Sequence, residues 1–365
     1  MHDSIKVLHA AYLKRPIPGI IRQMSMEKHA ATELQINWDT KIFCSYISSE
    51  YRHYLNSLVT VSNSKGNWFS ERKIYYQWLA KNSSKDYDVV LLRYAMYDPF
   101  QYLFVNRISK PVGFVHHTLE VPELLHATDL SGNFKACIES LIGFLAINKS
   151  AFTVGVTPEI TEYERKRSHS KKRHAIVYPN GVLFDSTHFE DRRNEIPEIL
   201  FIASSFVPWH GLDLLLLGLK RTSEQFILHL VGKVNRADLI CAQGDQRIVI
   251  HGIKEPSEVQ RLTDSCWIGL SSFALQRKNM TQACTLKVRE YLRAGLPVYA
   301  GHSDVFPANF PFYKQGPPDI EQILAFAYSV RNISKEEISN TARPFIDKVY
   351  LLKRLYVDIQ KIIAH

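Results

Sequence analysis

The chain has 365 residues, of which 45% are hydrophobic and 22% charged, values that exclude a disordered or low-complexity protein. Its length suits two α/β domains of ordinary size better than one. Lysine and arginine outnumber the acids 45 to 36, a net charge of +9, so an anionic partner is expected: nucleic acid, an acidic membrane surface or a phosphorylated substrate. No RNP, helix-turn-helix or zinc-finger pattern accompanies the charge, which argues against nucleic acid. Cys44, Cys137, Cys241, Cys266 and Cys284 are widely spaced and form no zinc-type cluster, as suits a reducing cytoplasm. No signal-peptide pattern opens the chain, and the longest apolar run, Ser140 to Ile147, is too short to cross a bilayer. A soluble or peripheral protein is expected.

In the first half, β-rich runs at 5–10, 41–45, 58–62, 88–94, 111–117 and 152–157 alternate with amphipathic stretches such as 70–82. That alternation predicts a parallel sheet covered on both faces. Gly19 follows the first strand, where it either makes a turn or lets backbone approach a ligand at a helix start. His116 and His117 close the fifth run and point opposite ways, so one of them faces the strand end and the other suits a hydrogen-bonded core position. The segment "ERKRSHSKKRH", Glu164 to His174, concentrates Arg165, Lys166, Arg167, Lys171, Lys172 and Arg173. It reads as a solvated helix end or as a face for an anionic membrane. A strand from Ala175 leads into the turn Pro179-Asn180-Gly181.

A polar stretch, Asp191 to Glu198, joins this half to a second one with strands at 198–204, 226–232, 247–253, 267–273 and 296–301. The expected domains are 1–190 and 198–343, with a final helix at 344–365 packing on the first. Ligands of open parallel sheets bind beyond the carboxyl ends of the strands, and a cleft between the two sets of strand ends is the expected site. Ser204, Ser205, His210 and Gly211 lie between a strand and an apolar helix, Gly232 ends the next strand, and Gly252-Ile253 follows another. In "TLKVREYLRAGLPV", Leu286, Val288, Tyr291 and Leu292 have the spacing of one buried stripe, and Gly295 ends the helix. Lys287, Arg289 and Glu290 are then either a solvated face or part of an anion site at the helix N-terminus.

The ordered set Pro179-Asn180-Gly181-Val182, "HGLDLLL" from His210, His251-Gly252 after a strand, and "LKVREYLRAGLPV" from Leu286 resembles the retaining glycosyltransferases of family four. The resemblance covers most of the chain. It implies an α/β architecture of the GT-B type, two Rossmann-like domains with parallel sheets facing across a cleft. It further implies transfer of a sugar from a nucleotide-sugar to a hydroxyl of a glycan or lipid-linked glycan, as in bacterial lipopolysaccharide or capsule synthesis at the cytoplasmic face of the membrane. No cofactor and no metal are required by that chemistry.

By the same resemblance Glu290 matches the second glutamate of a Glu-x7-Glu motif and holds the donor ribose. Lys287, with the backbone of Thr285 and Leu286, faces the donor diphosphate and sugar. His117 contacts the sugar, and Gly19 lies near the phosphates and the acceptor. Gln282 stands where the motif has its first glutamate, His210 where the family has lysine, and Ser204 where it has arginine. His117, Lys287 and Gln282 are thus the catalytic candidates. The donor-binding set is Gly19, Ser204, Ser205, His210, Gly211, Gly232, Gly252, Ile253, Thr285, Leu286 and Glu290, with a protonated His210 replacing one lost cation. A catalytically silent GT-B subunit that binds a nucleotide-sugar or glycan is the alternative, and a nucleotide-sugar epimerase a further one.

Overall fold

The computed structural model describes residues 4–55, 57–62, 66–126, 130–168, 174–184, 189–220 and 222–364. The chain forms two compact units, Met1–Pro179 with Lys348–His365, and Asn180–Asp347.

In the first unit the elements are β1 (Val7–Leu13), α1 (Pro18–Glu33), β2 (Trp38–Cys44), β3 (Val59–Val61), α2 (Trp68–Asp86), β4 (Val89–Arg93), α3 (Pro99–Arg107), β5 (Val112–His116), α4 (Glu120–His126), α5 (Leu130–Lys149), β6 (Phe152–Gly155), α6 (Pro158–Arg167) and β7 (His174–Val177). The strands pair in parallel in the order β3-β2-β1-β4-β5-β6-β7. Every residue of β5 and β6 is buried, because helices cover both faces of a parallel sheet. Leu8, Phe43, Leu79, Val90, Phe114 and Ile147 belong to the core on one of those faces.

The second unit repeats the scheme with β8 (Glu198–Ser205), a 3-10 turn at Pro208–His210, α7 (Leu212–Leu219), β9 (Ile227–Lys233), α8 (Arg236–Ala242), β10 (Ile248–Gly252), α9 (Pro256–Ser265), β11 (Ile268–Leu270), a second 3-10 turn at Leu275–Lys278, α10 (Leu286–Arg293), β12 (Val298–Ala300), β13 (Tyr313–Gln315), α11 (Ile320–Val330) and α12 (Lys335–Ile346). Its parallel sheet runs β10-β9-β8-β11-β12-β13. Each β-rich run picked out in the sequence overlaps a strand, while the apolar run Ser140 to Ile147 lies in α5. The three-residue β13 was not foreseen, since Tyr-Lys-Gln shows no apolar alternation and exists as a strand only by pairing with β12.

The final helical stretch is interrupted at Asp347, and α13 (Lys348–Ile363) belongs to the first unit. Buried polar groups hold it there. Glu27 on α1 accepts from His9 Nδ1 at 2.6 Å, Trp38 Nε1 at 2.8 Å and the Tyr178 hydroxyl at 3.1 Å. The buried Lys348 ammonium donates to that same hydroxyl at 3.3 Å. Tyr356 closes the far side with a 2.7 Å bond to the carbonyl of Ile5.

Candidate functional site

The helix α10 begins at Thr285, an extended N-cap residue whose side chain makes no capping bond. It ends at Gly295, which has φ of 72° and whose added Cβ would lie 2.3 Å from the carbonyl of Lys335, so a left-handed residue without a side chain is required there. Val288, Tyr291 and Leu292 face the core. Arg289 is not on a solvated face: it is fully buried, bound to Asp304 through two 2.5 Å bonds, and its Nε donates to the carbonyl of Asn180 at 3.2 Å. Asn180 in turn donates through Nδ2 to the carbonyl of Cys284 at 2.6 Å. The Pro-Asn-Gly turn therefore fixes the segment that leads into α10.

Lys287 has no such partner. Its Nζ is buried without a hydrogen bond among the described residues, and so is the hydroxyl of Thr285, the N-cap two residues earlier. The ammonium lies 5.6 Å from the centre of the Phe201 ring. Burial pushes its pKa down to about 8, and Glu290 partly offsets this. An orphaned ammonium at a helix N-terminus, where free N–H groups add their own positive potential, is suited to an anion.

His210 shares this environment. Its ring is 6.4 Å from that of Phe201, and Val207 N–H donates to its Nδ1 at 3.2 Å. Burial, and then the charge of Lys287, push its pKa down to about 3. The expectation of a protonated His210 is thus corrected: the ring is neutral near pH 7, its proton sits on Nε2, and it can serve only as a hydrogen-bond donor there. Gly211 follows with φ of 68° and packs against Phe273 and Ala274. Arg277 pins the loop by bonding the carbonyl of Pro208 at 2.7 Å and both oxygens of Asp213.

Ser204 and Ser205 are exposed at the end of β8, and Gln282 forms an isolated parallel bridge with Ser303. Gly232, with φ of 121°, has a structural cause of its own: a Cβ there would lie 1.5 Å from the carbonyl of Ala203. Gly252, with φ of 69°, faces open space, and the side chain of Ile253 beside it is 81% exposed. Glu290 and Leu286 lie on the first two turns of α10, both half-buried.

In the first unit Gly19 occupies the exposed first turn of α1, whose N-terminus no side chain caps. The two histidines differ as alternation requires. His116 is buried, stacked on Tyr94 and bonded through Nδ1 to Glu120 at 2.8 Å, while His117 accepts at Nε2 from Arg93 Nη1 at 2.6 Å. Burial holds both imidazoles neutral, His116 at about 4 and His117 well below its ordinary value. Sequence reasoning missed Arg93, which was only a polar residue near the end of the run at 88–94.

The basic segment needs a correction as well. Arg167 cannot face a membrane: its side chain is 11% exposed and its guanidinium binds Glu139 at 2.6 Å and Glu164 at 3.0 Å, with Glu120 at 3.6 Å. Three glutamates face this one arginine, and burial raises the Glu120 carboxyl to about 7 and Glu164 well above the usual range. Arg165 is paired with Glu162 at 2.6 Å, and Lys166 remains 73% exposed, 3.7 Å from the same carboxylate. Lys171, Lys172 and Arg173 lie outside the described residues. No helix among the described residues is long and apolar enough to cross a membrane.

Similarity to solved structures spans the whole chain. The lipopolysaccharide outer core galactosyltransferase WaaB, in its apo form, matches with a TM-score of 0.67 at 15% identity over 98% of this chain and 99% of that one. A glycosyltransferase from Rickettsia africae matches with a TM-score of 0.68 at 15% identity over 98% and 99%. HepE of Anabaena, in complex with UDP and glucose, matches with a TM-score of 0.64 at 11% identity over 98% and 100%. The chain has the GT-B fold. No family model and no curated protein sequence matches it.

Proposed function

We propose that this GT-B chain is a retaining glycosyltransferase that moves a sugar from a nucleotide-sugar to a hydroxyl of a glycan or lipid-linked glycan in bacterial surface-polysaccharide synthesis. The observation that carries the reading is the buried, unpartnered Lys287 ammonium at the start of α10. A buried charge is tolerated when a ligand completes it. A nucleoside diphosphate does so, and as the sugar–phosphate bond breaks Lys287 neutralises the charge that grows on the departing phosphate. The first N–H groups of α10 and the Nε2–H of neutral His210 add hydrogen bonds to the same oxygens.

Glu290 accepts from the ribose hydroxyls in this scheme, Gln282 bonds the sugar, and His117 keeps its implied role as a sugar contact. The exposed Ile253 offers an apolar surface to the base. HepE is described with UDP and with UDP-glucose, which makes uridine nucleotides the first donors to try. The scheme needs no metal and no cofactor. A lipid-linked acceptor at an anionic membrane is supported by the net charge of +9 and the exposure of Lys166.

Gln282 and Ser204, uncharged where the resembling family carries an acid and a cation, favour the second reading of a silent nucleotide-sugar-binding subunit. A panel of nucleotide-sugars tested for thermal stabilisation and slow hydrolysis separates the two. Stabilisation with hydrolysis supports the enzyme. Stabilisation without turnover, even with acceptor lipids present, leaves the silent subunit, and no stabilisation by any donor removes both.

A further inference from the structure

Arg93 is a second cation without a counter-ion. It closes β4, and the one bond its guanidinium makes among the described residues is the 2.6 Å contact to His117 Nε2. No carboxylate there lies within ion-pair distance of it, and burial alone acts on it, lowering its pKa to about 10. The charges that reach His117 come from Arg93, His9, His116 and Lys348, and all disfavour its protonation. Glu27 answers two of them, since it binds His9 at 2.6 Å and is held ionised by His9 and Lys348 against its own burial. No carboxylate among the described residues answers Arg93. His9 Nε2 is buried, and it too has no partner among the described residues.

Arg93 is half-buried at the end of β4, and only its Nη1 is bonded among the described residues, so the rest of the guanidinium is free to meet an anion that would offset its partial desolvation. Its planar fork matches a carboxylate or a phosphate with two parallel bonds. We infer that Arg93, supported by His117 and His9, forms a subsite of the first unit for an anionic group, a carboxylate or phosphate, carried by the acceptor. The assignment to an acceptor rests on the glycosyltransferase reading; the anion subsite itself does not. The acceptor would then be an acidic glycan or a glycan phosphate rather than a neutral sugar.

The test uses the full-length protein at low ionic strength with three probes, glucuronate, glucose 1-phosphate and neutral glucose, read by calorimetric titration and thermal shift. One charged probe should bind at least roughly tenfold more tightly than glucose and lose that advantage in Arg93→Met. Arg93→Lys should recover part of it. Glucuronate as the better probe assigns a carboxylate, glucose 1-phosphate a phosphate. Lys287→Met should leave the binding intact, which separates this subsite from the diphosphate site and from the fate of the donor reading. The inference is overturned if glucose binds as well as either charged probe, if no probe binds, or if Lys287→Met rather than Arg93→Met abolishes binding. Should Arg93→Met not fold, Arg93→Lys carries the comparison, and unchanged relative affinities in it also overturn the inference.

Discussion

Arg289 and Asp304 form an ion pair in the interior of the second unit, each guanidinium Nη atom 2.5 Å from a different carboxylate oxygen and both side chains fully shielded from water. Two residues earlier on the same helix, the Lys287 ammonium has no hydrogen-bond partner among the described residues. On the proposed reading Arg289 serves the fold and Lys287 a ligand, and the two should respond oppositely to neutralisation.

Arg289→Met should destabilise the protein by about 3–5 kcal/mol, because it removes the cationic partner of the buried Asp304 and leaves it, among the described residues, only the Val305 N–H. Urea denaturation measures this. A loss under about 1 kcal/mol would mean that water reaches Asp304.

Lys287→Met should stabilise the unliganded protein by on the order of 1–2 kcal/mol at pH 7, after allowance for partial solvation, while weakening donor binding. Burial lowers the folded pKa to about 8, below the unfolded value of about 10.4. The charged form is therefore disfavoured by folding, and the resulting cost is fully present below about pH 8 and fades as pH rises toward the unfolded pKa. The advantage of the methionine variant should shrink over the same window in thermal melts at pH 7, 9 and 10.5, and a variant less stable than wild type at pH 7 contradicts the orphaned cation.

The pH dependence of kcat/KM reports groups of the free enzyme. An alkaline limb is expected near pH 8, where Lys287 loses its proton, and no limb between pH 6 and 7 from His210, whose pKa lies at about 3. Lys287→Arg, still charged at pH 10, should move the limb upward even if its rate is lower. A limb that stays in place belongs to another group.

Gly232→Ala should cost about 3 kcal/mol or more, since positive φ and the Ala203 carbonyl both oppose a side chain. Gly252→Ala, with positive φ in open space, should cost only about 1–2 kcal/mol. Equal losses in chemical denaturation would show that the approach of Gly232 to β8 is relaxed in solution.

Membrane attachment predicts salt-sensitive sedimentation with anionic vesicles, each basic side chain near the surface contributing on the order of 1 kcal/mol. Changing Arg165, Lys166, Lys171 and Lys172 together to glutamine should abolish it. Arg167→Gln should instead lower stability, because Glu139 and Glu164 lose their partner. Wild-type protein that remains in the supernatant at low salt removes the membrane from the proposal.

Sequence by itself determined the strand–helix alternation, the two parallel sheets and the stop at Gly295, because each depends on the order of apolar residues over one or two turns or on one residue's backbone freedom. It also singled out Lys287 and His117 by resemblance. Only the tertiary structure decided which charges are solvated, paired or left alone. Arg289 and Lys287 look alike along the chain, yet Asp304, 15 residues on, reaches one and not the other. Arg167 reads as one more surface cation until Glu139, 28 residues earlier on a different helix, is placed beside it. Arg93 reads as the polar end of an apolar run until β5 brings His117 within hydrogen-bond distance. The free energy of a charge depends on its solvation and on the oxygens within a few ångströms, and those are set by which strands and helices become neighbours, a relation that no local spacing encodes.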